Sequence, residues 1–240
     1  MKMKKQEFME GIKDGIPICL GYFSVSMAFG LSVVLNGMPV WSAVLTSLTN
    51  VTSAGQFAGT NLLLAGAPII EIIMTTIIIN MRYFLMSLSV SQKVDSKMTL
   101  LQRMAVSFGI TDEIFAVSMG RKGSLTAVYM AGLILTPVFG WTMGTLTGAV
   151  ASSLMPETLS QAMGIALYGM FIAIIIPDAK TDKNVFYTII MAIAASYAFT
   201  YLPMLNKISS GWVIIIITIA VSAIAATLFP IKVEDEEEEA

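Results

Sequence analysis

The feature that most constrains this chain is the length of its charge-free stretches. Each is at least about 20 residues long, the length that a helix needs to cross the roughly 30 Å of hydrocarbon in a bilayer. The sequence therefore predicts a protein embedded in a membrane. Five stretches lack Asp, Glu, Lys and Arg: Ile16 to Ile70, Ser124 to Pro156, Thr158 to Pro177, Asn184 to Asn206 and Ile208 to Ile231.

Composition and local pattern favour helices over a membrane β-barrel. Of the 240 residues, 56% are hydrophobic and 12% are charged, against roughly 25% charged in an average soluble domain, and the mean hydropathy is +0.79. Barrel strands alternate apolar and polar residues, whereas Val213 to Ile217 are all apolar. We predict an all-α fold, a polytopic transmembrane helical bundle.

Turn residues divide the apolar sequence into seven or eight membrane-embedded segments, some of them broken or re-entrant. Residues 1–14 form a polar cytoplasmic segment with no clear cleavage site, 15–230 the transmembrane domain and 231–240 an acidic tail. The predicted segments are 16–35, 40–66, 69–90, 104–119, 125–152, 159–177, 185–205 and 209–230.

Basic residues in the short loops bear on how the segments cross. With a cytoplasmic N-terminus, eight simple crossings place Lys93, Lys97 and Arg103 outside, against the tendency of Lys and Arg to stay in the cytoplasm. If 40–66 enters and returns, and 104–119 also fails to cross, these residues become cytoplasmic and only Lys207 stays outside. We prefer this topology. Both alternatives place the C-terminus in the cytoplasm.

Segment 40–66 is unusually polar for a membrane segment. Its polar side chains are expected to form one seam on a helix, because they recur every three or four residues. The seam is either helix–helix packing or the lining of a pathway, and polar backbone at membrane depth is tolerated where it lines a cavity. The seam residues are Thr46, Thr49, Ser53, Gln56 and Thr60.

A basic residue lies deep in the third segment, within Asn80-Met81-Arg82-Tyr83. A central arginine costs roughly 3 kcal/mol on insertion scales. Arg82 therefore either reaches toward the interface or is buried and paired with an acid or a substrate carboxylate. Glu71, near the start of the segment, is expected to be interfacial.

Thr111-Asp112-Glu113 forms a second polar group, in the fourth segment. Gly109 and the capping residues that follow suit the start of a half-helix. The acids are either caps at that start or functional groups: a partner for Arg82, a site for an ammonium group, or a proton carrier. In the fifth segment, Gly140, Gly144 and Gly148 are expected to be a packing face.

Enzyme chemistry has no support in the sequence. There is no histidine, no phosphate-binding loop with a lysine and no nucleophile with a histidine partner. We expect no enzymatic activity, no cofactor, no bound metal and no nucleic-acid partner.

The same polar motifs resemble those of the AzlC family, in order and spacing. They are Ser53 to Phe57, Asn80 to Tyr83 and Thr111 to Phe115, together with Gly15-Ile16-Pro17 and Phe29-Gly30. The resemblance extends roughly from Phe8 to Phe229. Many members of the family carry histidine where this chain has Tyr83, so a proton role at this position is not carried over.

This resemblance implies an exporter of branched-chain amino acids: valine, leucine, isoleucine, and in some members methionine or azaleucine. It also implies a small membrane partner of the AzlD type and a location in the bacterial plasma membrane. The alternative is a membrane scaffold or channel-like subunit with no transport cycle.

Motifs and resemblance together suggest how an amino acid would be held. Arg82 or a half-helix N-terminus takes the carboxylate, Asp112 or Glu113 takes the ammonium group or a proton, and apolar residues take the side chain. The candidate substrate-binding residues are Ser53, Gln56, Asn80, Arg82, Thr111, Asp112 and Glu113.

Overall fold

The computed structural model describes residues 2–152, 172, 175–177 and 179–230. These residues are helical and include no β-strand, which confirms the all-α prediction. Most of predicted segment 159–177 and the whole acidic tail, 231–240, lie outside the described residues. The helices with defined bounds are α1 (Lys2–Leu35), α2 (Val40–Thr49), α3 (Ser53–Leu64), α4 (Ile69–Lys93), α5 (Leu100–Phe108), α6 (Asp112–Gly120), α7 (Ala127–Ala151), α8 (Lys183–Tyr201) and α9 (Ser210–Leu228).

Among the described residues, five helices are long and apolar enough to cross a membrane: α1, α4, α7, α8 and α9. Five spans do not establish the predicted count of seven or eight. Segments 40–66 and 104–119 are each divided into two short helices, and segment 159–177 is largely undescribed.

Helices α1 and α7 run parallel and in close contact. A Cβ added at Gly140 would lie 2.5 Å from the carbonyl oxygen of Cys19, and Cβ atoms at Gly144 and Gly148 would overlap backbone atoms of Phe23 and Met27. Small residues allow two membrane helices to approach this closely. The predicted packing face of Gly140, Gly144 and Gly148 is therefore confirmed.

One end of the bundle, the N-terminal face, gathers the start of α1, the ends of α4 and α6 and the start of α7. The Lys93 ammonium donates to the carbonyl oxygens of Met119 (2.6 Å) and Arg121 (2.5 Å), and the Leu125 N–H donates to the Lys93 carbonyl oxygen (2.9 Å). Arg121 also forms an ion pair with Glu10 of α1, at 3.0 Å. Because α4 ends where α1 and α7 begin, it runs antiparallel to both.

Because α4 runs antiparallel to α1 and α7, each divided segment begins and ends at the same face of the bundle and forms a hairpin. Residues 40–64 leave α1 at the opposite face and rejoin α4 there; we call α2 and α3 the first hairpin. Residues 100–120 start and finish at the N-terminal face, and α5 and α6 form the second hairpin. This is the arrangement predicted for segments that enter and return. The cytoplasmic location of the N-terminal face stays a prediction.

Threonine caps divide each hairpin. Thr52 precedes α3 and accepts from the Gly55 N–H at 3.4 Å, and Thr111 accepts from the Ile114 N–H at the same distance. The half-helix start predicted at Thr111 is thus confirmed. The prediction of a single polar seam along 40–66 was wrong. The chain is extended at Thr52, and the seam residues therefore lie on two helices.

Helices α4 and α9 are joined by a buried carboxylate. Glu71 is 2% exposed, and its Oε1 accepts from the Ser209 hydroxyl (2.6 Å) and the Gly211 N–H (2.9 Å). It therefore caps the N-terminus of α9 from another helix. Glu71 lies in the first turn of α4, near the segment start as expected, and its hydrogen-bond partners stabilise the carboxylate away from water; its depth in the membrane stays a prediction.

Candidate functional site

A cavity of about 780 Å³ lies among α1, the two hairpins, α4 and α7. Its volume is within the range of ~300–1,000 Å³ typical of small-molecule sites. Ile175, in predicted segment 159–177, also reaches its wall. Five of the seven candidate residues line the cavity: Ser53, Arg82, Thr111, Asp112 and Glu113.

Arg82 and Asp112 form an ion pair at the cavity wall. The Arg82 Nη2 atom lies 3.0 Å from Asp112 Oδ2, and the side chains are 45% and 38% exposed. The guanidinium also stands over the Tyr83 ring, 5.1 Å from its centre, where the ring face attracts a cation. Of the two acids considered as partners of Arg82, Asp112 makes the pair, and both charges remain open to the cavity.

Glu113 has a different partner. The Tyr22 hydroxyl of α1 lies 2.5 Å from Glu113 Oε2 and 2.7 Å from Thr111 Oγ1. A phenol has one proton and an ionised carboxylate has none, so Tyr22 donates to Glu113 and accepts from Thr111. The two acids predicted as alternatives are therefore held separately, Asp112 by α4 and Glu113 by α1.

Asn80 does not line the cavity but anchors the first hairpin to α4. Its Oδ1 accepts from the Thr52 hydroxyl at 2.7 Å. A Cβ added at Gly55 would lie 2.8 Å from the Asn80 Nδ2 atom, so glycine at this position lets the amide approach α3. Asn80 thus fixes the tip of the first hairpin beside the cavity.

Gln56 is placed behind the cavity wall. It is 1% exposed, its Oε1 accepts from Trp141 Nε1–H at 3.2 Å, and its Nε2 donates to Ser47 Oγ at 3.4 Å. Ser47 in turn shares a hydrogen bond with Thr145 of α7 at 2.7 Å. Among the described residues, the side-chain hydrogen bond that joins Gln56 to the cavity wall is the one with Trp141, which is a lining residue. Its contact with substrate stays a prediction.

The tips of both hairpins present helix N-termini to the cavity. Ser53 and Ala54 belong to the first turn of α3, which has no acid, whereas the first turn of α6 contains Asp112 and Glu113. A helix N-terminus carries a partial positive charge that favours anions. The partial positive charge at the N-terminus of α6 is already balanced by Asp112 and Glu113. The N-terminus of α3 and the Arg82 side chain are therefore the cationic groups that face the cavity.

Sequence reasoning missed Tyr22 and Trp141. Both line the cavity, and their rings pack edge to face with centres 5.2 Å apart. A buried Tyr hydroxyl or Trp N–H requires a hydrogen-bond partner. The sequence shows that Tyr22 and Trp141 lie in charge-free segments and therefore need hydrogen-bond partners, but it does not identify those partners.

The fold and the cavity define a polytopic helical membrane protein in which two interrupted segments meet at a charged site. Residues 17–155, more than half of the chain, match the family described as AzlC protein, and the chain belongs to this family.

Three relatives share about a quarter of their aligned residues with the chain. It is similar to the "Inner membrane protein YgaZ" of Escherichia coli strain K12, with 26% identity over 75% of this chain and 77% of that protein. An "Uncharacterized membrane protein" of Archaeoglobus fulgidus is 27% identical over 74% of this chain and 78% of that protein. One of Helicobacter pylori strain 26695 is 26% identical over 78% and 85%. No solved structure matches the chain.

Proposed function

We propose that this protein exports branched-chain amino acids across the bacterial plasma membrane, together with a small AzlD-like subunit. Its substrates would be valine, leucine and isoleucine, with methionine or azaleucine as further candidates, and both termini would be cytoplasmic. The observation that carries the proposal is the Arg82–Asp112 pair open to a cavity that Glu113 also lines.

A zwitterionic amino acid matches the charges of this cavity. Its carboxylate would bind Arg82 and the first turn of α3 at Ser53. Its ammonium group would bind Glu113, or Asp112 when the substrate carboxylate has replaced it at Arg82. Membrane-embedded ionisable residues are costly and commonly mark substrate pathways.

The rest of the cavity wall suits an aliphatic side chain. Ile18 and Val25 of α1, Val51 and Ala54 of the first hairpin, and Ile175 all line it. Aliphatic groups gain free energy when they leave water for such a wall, roughly 0.8 kcal/mol per buried CH₂. This wall favours leucine, isoleucine and valine over polar amino acids.

Coupling to protons is part of the proposal. Glu113 is the better candidate carrier, because Asp112 is paired with Arg82 while the side-chain donor to Glu113 among the described residues is the neutral Tyr22. Protonation of Glu113 would release an ammonium group held there, so proton entry and amino-acid release would alternate at one carboxylate.

Counterflow of labelled leucine in liposomes tests the function. The complex with the small subunit should show saturable uptake that unlabelled leucine or valine inhibits, and the isolated chain should be slower. Arg82→Ala and Asp112→Asn should each slow it roughly tenfold or more. Absence of saturable flux with the subunit present would favour the scaffold or channel-like alternative, and wild-type rates in both variants would show that the site is wrong.

A further inference from the structure

One glycine of α1 has no evident packing role. Gly21 lines the cavity, and no atom of the described residues lies within 4 Å of a Cβ added there, apart from its own helix and chain neighbours. Two other glycines of α1, Gly11 and Gly30, lie so close to backbone atoms of α7 that an added Cβ would overlap them, and a Cβ at Gly15 would lie 3.1 Å from the Leu133 carbonyl oxygen. These glycines allow α1 and α7 to pack closely, whereas no described residue packs against Gly21.

Backbone conformation does not explain Gly21 either. The glycines with a positive φ among the described residues are Gly37, Gly66 and Gly123, and Gly21 lies inside the continuous helix α1. Glycine in a helix interior is less favourable than alanine, because it loses more backbone freedom on folding. The remaining consequence of glycine at this position is space: without a side chain, Gly21 leaves the cavity wider by a side chain's volume.

The position of Gly21 puts that space beside the charged groups. Gly21, Tyr22 and Val25 come three, four and seven residues after Ile18, which places all four on one side of α1, and all four line the cavity. The next residue, Tyr22, donates to Glu113. An amino acid bound at Arg82 and Glu113 therefore has the bare backbone of Gly21 next to it, flanked by apolar Ile18 and Val25.

From this arrangement we propose that Gly21 sets the largest side chain that the cavity accepts. The inference rests on the proposed function, and it makes Gly21 a determinant of substrate size. Added methyl groups at this position occupy the volume of the substrate's own methyl groups, so larger amino acids are excluded before smaller ones. One methylene in an apolar pocket changes discrimination by roughly 10- to 200-fold.

The test is a series of Gly21→Ala, Gly21→Val and Gly21→Leu in the complex with the small subunit, assayed by counterflow with alanine, valine, leucine and methionine. In Gly21→Val, we expect the flux of leucine and of methionine to fall about tenfold or more, while the flux of alanine is retained. Leu20→Phe is the matched control, because Leu20 is 66% exposed and does not line the cavity. A parallel fall for all four substrates, or no change, would overturn the inference.

A second readout does not depend on transport. With Cys19 replaced by alanine, Ser53→Cys places a single thiol on the cavity wall, and its rate of reaction with small and bulky thiol reagents reports the open volume. Gly21→Leu should slow the bulky reagent selectively. If the wild type transports no amino acid but this selectivity is found, the proposed function fails and the size limit stands; equal slowing of both reagents contradicts the size limit alone.

Discussion

Asn80 and Arg82 lie two residues apart on α4 and hold the tips of two different hairpins. Asn80 accepts from Thr52 of the first hairpin at 2.7 Å, and Arg82 pairs with Asp112 of the second at 3.0 Å. Successive helical residues are about 100° apart, so these two side chains leave α4 on nearly opposite sides. One short motif thereby fixes both sides of the cavity relative to each other.

The Arg82–Asp112 pair should be essential for leucine transport. Arg82→Ala leaves Asp112 without its charged partner and removes the carboxylate site, and Asp112→Asn leaves Arg82 unpaired. Losing a charge-assisted hydrogen bond costs about 1.5–3 kcal/mol, so counterflow should fall roughly tenfold or more. Lys97→Ala, a change in an exposed loop residue, should keep the wild-type rate; a similar loss there would point to a general defect.

Tyr22 and Glu113 should act as a unit. Tyr22→Phe removes the hydroxyl that donates to Glu113, and Glu113→Gln removes the charge that accepts it. The double variant should transport leucine no more slowly than Glu113→Gln, with an interaction free energy of about 0.5–3 kcal/mol in the double-mutant cycle. Additive effects in the cycle would argue against coupling.

Glu71 should stabilise the packing of α9 on α4. Glu71→Ala leaves the Gly211 N–H and the Ser209 hydroxyl without their acceptor, at a cost of about 2 kcal/mol. For a chain of this size, this lowers Tm by about 4–8 °C in detergent. Glu71→Gln should lose less, because an amide oxygen still accepts both hydrogen bonds. A Tm unchanged in Glu71→Ala would contradict a capping role.

The glycines of α1 should respond differently to alanine. A Cβ at Gly30 would lie 2.8 Å from the Ala149 backbone nitrogen of α7, so Gly30→Ala should destabilise the protein by about 1–3 kcal/mol. Gly21→Ala should leave Tm unchanged or raise it, since alanine favours a helix by about 1 kcal/mol. Thermal unfolding of the two variants in one detergent makes the comparison. Equal destabilisation would mean that Gly21 also packs against protein.

Features carried by local sequence were predictable. The charge-free stretches identified α1, α7, α8 and α9, and Gly109 with Thr111 identified the break before α6, because membrane span and helix capping depend on neighbouring residues. Loop charges indicated the two hairpins through the positions of Lys93 and Arg103.

Contacts between distant residues were not predictable. Glu71 is 140 residues from Gly211, Gln56 is 85 residues from Trp141, and Tyr22 is 91 residues from Glu113. Each depends on which helices become neighbours and on their rotation, and helical periodicity fixes neither. The sequence therefore gave the candidate polar residues of the cavity but not the partner of each one.

The position of Arg82 along α4 bears on the electrical work of moving a charge to the site. Arg82 is eleven residues from the end of α4, roughly 16 Å along its axis, and so lies near the middle of a helix that is long and apolar enough to cross a membrane. A unit charge crossing the whole field at 100 mV involves about 2.3 kcal/mol, and reaching Arg82–Asp112 from either side involves about half of that. If α4 spans the bilayer, a charge that reaches the pair from either side crosses a similar share of the membrane voltage.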